Sequence, residues 1–271
     1  MFSTTELIAE FDSAFQAYVN LRLPRTSLLH EAMAYSLLNG GKRLRPRLVI
    51  EAAALVSLPK EIALKCAFAI EIAHGFSLVH DDLPCLDNDD QRRGMPTTHR
   101  KFSEPQALLA GDALLNFAHE TFLECLPGTA PTSFFRASKL FLKAIGSGGM
   151  LLGQSNELEV DDTSLDELLK IQSLKTGKLF QASILCPLLL SGLTSERSLY
   201  VECEKYAESF GFAFQIADDL EDEAQDQLQN SKNILSHLGR TSAVGLAIQK
   251  LRSSKISEHF SATKLLISKL Q

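Results

Sequence analysis

Apolar residues recur at helical spacing through almost the whole chain, and this pattern excludes most folds before any motif is read. Leu7, Phe11, Phe15 and Val19 follow at four-residue steps, which places them on one face of an amphipathic helix. The same periodicity predicts helices over 31–39, 47–57, 61–80, 105–125, 133–152, 164–172, 176–192, 198–220, 233–250 and 255–269. Between them lie Leu23-Pro24, Pro59, Leu126-Pro127-Gly128, Gly146-Ser147-Gly148-Gly149 and Asp161-Asp162-Thr163-Ser164, residues that stop or start helices. No stretch alternates convincingly as a strand, no repeat recurs, and no spacer is long enough to separate domains. The expectation is a single all-α domain over residues 1–271, a large bundle of about ten helices. Alanine-rich windows at Ala52–Ala54 and Ala67–Ala73 predict axes that approach closely.

Composition narrows the class further. With 45% apolar and 22% charged residues the chain carries enough apolar surface to offset the entropy of ordering, so disorder is excluded. Acids outnumber bases by 33 to 27, which argues against a nucleic-acid partner. The five cysteines are odd in number, dispersed and without a CxxC pair, which points away from disulfides and structural zinc. The N-terminus carries acids where a signal peptide needs bases. The apolar stretch 179–193 is interrupted by Gln181 and Pro187 and is too short to span a bilayer. A cytoplasmic protein without a transmembrane segment is the expectation.

Four polar clusters interrupt this apolar pattern. In the first, Asp81-Asp82-Leu83-Pro84-Cys85-Leu86-Asp87 ends a long apolar segment. Carboxylates gathered there repel unless a cation joins them, and an oxygen-only donor set suits a hard ion such as Mg²⁺. An EF-hand is excluded, because Arg92 stands where the loop needs glycine and Thr98 where it needs glutamate. In the second, Gln215, Asp218, Asp219 and Asp222 share one helix face. Asp218 and Asp222 stack about 6 Å apart along the axis, a spacing that costs a few tenths of a kcal/mol without a counter-ion. Third, Gly40-Gly41-Lys42-Arg43-Leu44-Arg45-Pro46-Arg47 reverses the local charge and suits a phosphate or diphosphate. It is not a Walker loop. Arg92-Arg93 forms the fourth. Each alone reads equally as a solvated turn or helix end. Together they describe a pocket for two small polyanions, with metal serving one.

These residues carry a resemblance. Asp81-Asp82-xxxx-Asp87, Asp218-Asp219-Leu220-Glu221-Asp222, the GGKRxRP box at 40–46, Arg92-Arg93-Gly94, Lys175-Thr176-Gly177 and Phe214-Gln215 stand in the order found in the trans-isoprenyl diphosphate synthases (polyprenyl synthetases). The chain most closely resembles the short-chain bacterial farnesyl diphosphate synthases, from about residue 30 to 240. The resemblance implies an all-α bundle around a deep central cavity, and head-to-tail condensation of isopentenyl diphosphate with dimethylallyl or geranyl diphosphate. Farnesyl diphosphate and diphosphate are the implied products, formed by Mg²⁺-assisted ionisation, condensation and proton loss.

Carried over residue by residue, Asp81, Asp87 and Asp218 hold Mg²⁺, three ions to a site, with Asp222 in support. Arg92 and Lys175 touch the allylic diphosphate, while Lys42, Arg45, His74 and Arg93 hold isopentenyl diphosphate. Thr176 and Gln215 offer dipoles to a carbocation. Phe76, five positions before the first motif, forms the cavity floor that stops the product at farnesyl length. The region 223–232 is short and acidic where the family has a glycine- and lysine-rich closing loop, and Lys232 is its one lysine. His80 and His99 read as structural. A homodimer is also implied.

Three alternatives stay open on the residues. The product could be geranyl or geranylgeranyl diphosphate. The His80-Asp81 doublet fits an HD-type metal phosphohydrolase, which leaves the basic box and the second acidic motif unexplained. The altered closing region would suit a weakly active partner subunit.

Overall fold

A computed structural model describes residues 3–159, 164–229 and 233–271, the side chains of 222–229 excepted. It is all-α, and it divides into two compact units: 1–50 with 59–128, and 51–58 with 129–271.

The first unit holds α1 (Thr4–Arg22), α2 (Leu28–Leu38), the start of α3 (Leu44–Leu55), α4 (Lys60–Asp81), α5 (Thr98–Lys101) and α6 (Glu104–Leu123). Ser3 caps α1 by accepting the Glu6 N–H, and Leu7, Phe11, Phe15 and Val19 are all buried, as the four-residue periodicity predicts. Their rings meet α4, where Phe68 packs 5.6 Å from Phe11 and 5.5 Å from Phe15. Small residues set how closely helices approach. A Cβ at Gly75 would lie 2.6 Å from Leu37 of α2. At Gly111 of α6 it would meet the His80 ring at 2.1 Å, and His80 Nε2 also stands 3.1 Å from the Leu108 carbonyl. This occupies His80 structurally.

α4 is long and apolar enough to cross a membrane, with mean hydropathy 1.6, yet 72% of that window is buried inside the protein. Its apolar surface is spent on neighbouring helices rather than on lipid. Among the described residues, strand is confined to a hairpin pairing β1 (Gln91–Arg92) with β2 (Met95–Pro96). Its loop is Arg93-Gly94, with φ of 55° and 74°, the two positive angles a type I′ turn requires.

The second unit holds the end of α3, then α7 (Pro131–Ile145), α8 (Met150–Leu158), α9 (Leu165–Gln172), a π-helical turn (Ser173–Gly177) and α10 (Lys178–Leu190). After these come α11 (Ser198–Gln229), α12 (Ile234–Leu238), α13 (Arg240–Ser253), a 3₁₀ turn (Lys255–His259) and α14 (Ser261–Leu270). α10 packs on α7 and α11, around the rings of Phe180, Phe210 and Phe214. Ser164 and Glu167 close a capping box at the start of α9, a device that stabilises a helix end by about 1 kcal/mol.

Several helix boundaries differ from the periodicity reading, and three have a local cause. The segment 133–152 breaks into α7 and α8 across Gly146–Gly149, a turn so tight that a side chain at Gly149 would strike the Ala144 carbonyl at 2.1 Å. The segment 233–250 divides at Gly239, whose φ is 74°. α11 runs on to Gln229 where a closing loop is expected, since Glu223–Gln229 contains good helix formers and no glycine or proline. Lys232 lies outside the described residues, as does the Asp222 side chain.

Candidate active site

In the first unit the acidic motif grows out of the end of α4. Asp81 is the last helical residue and Asp82 caps it. Pro84 prevents a further helical turn, and the Asp87 N–H turns back to donate to the Asp81 carbonyl at 2.9 Å. The two adjacent aspartates then take different environments. Asp81 is partly exposed and Asp87 exposed, whereas Asp82 is 3% exposed and accepts from Arg92 Nε at 2.6 Å. Burial pushes the Asp82 carboxyl up to about 6, outweighing the opposing effect of Arg92. Arg92 also donates to Asp89 at 3.3 Å. Asp82 is therefore a partner that the sequence reading missed: it holds Arg92 in place beneath the motif.

The basic box folds onto the same unit. Gly41, with φ of 136°, lies flat against the Arg93 guanidinium, where a Cβ would stand 2.8 Å from its Cζ. Arg93 donates to the Gly40 carbonyl. The two glycines therefore serve as a seat for an arginine fifty residues away in sequence. Arg43 is committed elsewhere. It donates to Asp12 at 2.8 Å, to buried Glu71 at 2.5 Å and to the Leu37 carbonyl at 3.1 Å. Burial works against its charge, and Glu71 and Asp12 outweigh that, holding its pKa above the ordinary arginine value. Lys42 is exposed and Arg45 partly exposed. His74 sits on α4 in the combined field of Arg45, Arg93, Arg92 and Arg43. Desolvation first, and these cations second, hold it well below the usual histidine range. Phe76 is buried at 1% exposure, edge-on to His80 at 6.1 Å.

In the second unit Lys175 and Thr176 lie in the π-helical turn, an irregularity that frequently marks functional sites. The turn is wedged by glycines. A Cβ at Gly153 of α8 would lie 2.2 Å from the Lys175 nitrogen, and one at Gly211 of α11 would lie 3.2 Å from Gly177 Cα. Lys175 pairs with Glu157 of α8, a second partner absent from the sequence reading. On α11 the aspartate pair divides as in the first motif. Asp218 is partly exposed, while Asp219 is 6% exposed. Asp219 accepts from Gln215 Nε2 at 2.9 Å and from the Ile234 N–H at 2.8 Å, which ties α11 to the start of α12.

The donor chemistry fits a hard divalent cation. Asp81 stands at a helix C-terminus, where the helix dipole disfavours a carboxylate, and a cation relieves that cost. Among the described residues no three acidic, histidine or cysteine side chains gather at one point.

The sequence profile of the polyprenyl synthetases matches residues 26–265. The chain is 40% identical over 252 residues to heterodimeric geranylgeranyl pyrophosphate synthase large subunit 1, chloroplastic, of Arabidopsis thaliana, covering 90% of this chain and 65% of that one. It therefore spans about two-thirds of the length of that plant relative. It is 37% identical over 247 residues to the farnesyl diphosphate synthase of Geobacillus stearothermophilus, covering 90% of this chain and 82% of the relative. Among solved structures, an FPP/GFPP synthase of Zymomonas mobilis superposes with a TM-score of 0.87 at 33% identity, covering 99% and 97% of the two chains. The chain belongs to the polyprenyl synthetase family, the trans-isoprenyl diphosphate synthases.

Proposed function

We propose that the protein condenses isopentenyl diphosphate with dimethylallyl or geranyl diphosphate and releases farnesyl diphosphate. The observation that carries this reading is the seating of Arg93 on Gly41 and the Gly40 carbonyl, within a group of cations that also includes Arg45 and surrounds His74. It is a cationic nest of the kind a diphosphate needs, with the Arg93 guanidinium already held in place by the Gly40 carbonyl. In this reading Lys42, Arg45, His74 and Arg93 bind isopentenyl diphosphate, His74 as a neutral hydrogen-bonding group. Arg92, held by Asp82, and Lys175, held by Glu157, bind the allylic diphosphate. Asp81, Asp87, Asp218 and Asp222 serve Mg²⁺. When bound, the metal neutralises charge on the departing diphosphate. Thr176 and the Gln215 carbonyl turn dipoles toward the carbocation, and apolar walls exclude water from it. No side chain is required as general base, because the released diphosphate accepts the proton.

The test is incubation with labelled isopentenyl diphosphate, geranyl diphosphate and Mg²⁺, followed by product sizing. A farnesyl product is expected. A geranylgeranyl product, the one named for the Arabidopsis relative, would overturn the length assignment, and absence of any prenyl product would overturn the reading itself. Phe76→Ala should then extend the product beyond farnesyl. Because emptying so buried a site costs about 3–5 kcal/mol, Phe76→Leu serves as the milder variant. Unchanged chain length in both would exclude Phe76 as the floor.

The second copy of a homodimer fits the exposed face of α6, where Leu108 and Leu109 are 48% and 52% exposed. Sedimentation should give twice the chain mass, and Leu109→Asp should return it to the monomer value.

A further inference from the structure

The loop carrying Asp87, Asp89 and Arg92 is pinned at its near end by the Asp87 N–H on the Asp81 carbonyl. Its far end is held by a residue that departs from its local role. Thr97 is the N-cap of α5, a position where a threonine hydroxyl ordinarily accepts a backbone N–H of the first turn. Here it makes no such bond. The hydroxyl instead donates backward to the Asp89 carbonyl at 2.8 Å, and the Thr97 N–H donates to the Asp90 carbonyl at 3.1 Å. His99 Nδ1 lies 3.1 Å from the same hydroxyl oxygen. Proton counting then settles the imidazole. Thr97 has one hydroxyl proton, and the Asp89 carbonyl can only accept, so His99 Nδ1 must be the donor to Thr97 Oγ1. Nε2 is buried without a hydrogen-bond partner, so a proton there would be an unsatisfied buried donor. Thr97 and His99 are 2% and 6% exposed. His99, on α5, thus supplies the N–H that the cap hydroxyl forgoes.

We propose that Thr97 and His99 are a positioning pair that fixes the aspartate-rich loop for the metal-bound allylic diphosphate. The proposal rests on the prenyltransferase reading for the identity of the ligand. The chain of contacts is direct. Thr97 holds the Asp89 and Asp90 carbonyls, the Asp89 carboxylate holds Arg92, and Asp87 stands two residues before this anchor. Without the Thr97 hydroxyl, the Asp89 carbonyl loses its tie to α5, and the loop keeps its near pin, the Asn88 N–H on the Leu83 carbonyl, the Thr97 N–H on the Asp90 carbonyl, the Arg92 contacts and the exposed Arg100–Asp90 ion pair. Neither His99 nor Thr97 touches substrate in this assignment.

Four variants test it. Thr97→Val keeps the shape and removes the hydroxyl, and Thr97→Ser restores it. His99→Asn places an amide N–H near the Nδ1 position, while His99→Gln places one near Nε2. Thr97→Val and His99→Gln should raise the half-saturating Mg²⁺ concentration and the allylic KM by about tenfold, the usual effect of removing an outer-shell partner. The KM for isopentenyl diphosphate should stay within about twofold, and Thr97→Ser and His99→Asn should remain near wild type. The idea fails if Thr97→Val keeps wild-type Mg²⁺ dependence, if His99→Gln matches His99→Asn, or if both KM values rise together with a fall in Tm. Should His99→Gln not fold, the Thr97 pair carries the comparison. A wild-type protein without prenyl product would sink the function and leave the anchor to amide hydrogen exchange over 85–93. Faster exchange in Thr97→Val would support the anchor, and unchanged exchange would overturn it.

Discussion

Alanine at Asp81 or at Asp218 is expected to lower kcat by roughly 10³-fold or more while leaving thermal stability within about 1 kcal/mol of wild type. Both carboxylates are partly exposed, so their loss opens no large cavity. Removing Asp81 also takes a negative charge from a helix C-terminus, where it is unfavourable. The loss is confined to the step in which a highly charged diphosphate departs. The neighbouring aspartates should behave in the opposite way. Asp82→Ala strips the buried partner from Arg92, and Asp219→Ala releases both Gln215 and the Ile234 N–H. Those variants should lose stability as well as activity. Single-turnover rates read beside thermal unfolding separate the two classes, and activity retained in Asp81→Ala or Asp218→Ala would refute the metal assignment.

Glu71→Leu is the substitution with the largest expected effect on stability, about 3–5 kcal/mol. Glu71 is 4% exposed in the middle of α4. It pairs with an Arg43 guanidinium whose other contacts are Asp12 and the Leu37 carbonyl. Without Glu71, Arg43 keeps only a largely exposed carboxylate as counter-charge in a mostly buried setting. At roughly 2–4 °C per kcal/mol for a chain of this size, Tm should fall by about 10 °C. Arg43 holds φ of 45° within the basic box, so the same change should loosen Lys42 and Arg45 and raise the KM for isopentenyl diphosphate. The double variant Arg43→Met, Glu71→Leu should recover most of the stability, because replacing both members of a buried pair with apolar groups is often neutral. It should not recover the KM. A Tm drop under about 2 °C for Glu71→Leu would show that Arg43 is satisfied without it.

Much of this was legible in the chain. The four-residue repeat of Leu7, Phe11, Phe15 and Val19 read α1 correctly, because burying one apolar stripe is what makes such a helix stable. The basic box and both acidic motifs were legible because like charges gathered in an otherwise apolar sequence demand a counter-ion. Other features were hidden for equally physical reasons. The break at Gly149 brings its Cα so close to the Ala144 carbonyl that no side chain fits there, which periodicity smooths over. The π-helical turn at Lys175 is set by the close approach of α8 at Gly153. Glu71, Glu157 and Asp219 acquire meaning only from partners on other segments or on a later helix.

From sequence alone came the helical class, through the apolar periodicity, and the family with the residue types it implies, through the resemblance of its ordered motifs. Tertiary structure alone decided the division of labour within each aspartate pair. Neighbouring residues on a helix point about 100° apart, so one member of an aspartate pair can be buried while the other stays partly exposed. Which member faces outward depends on what packs against the helix. Packing buries Asp82 on Arg92, and Asp219 on Gln215 and Ile234, and leaves the first aspartate of each pair partly exposed.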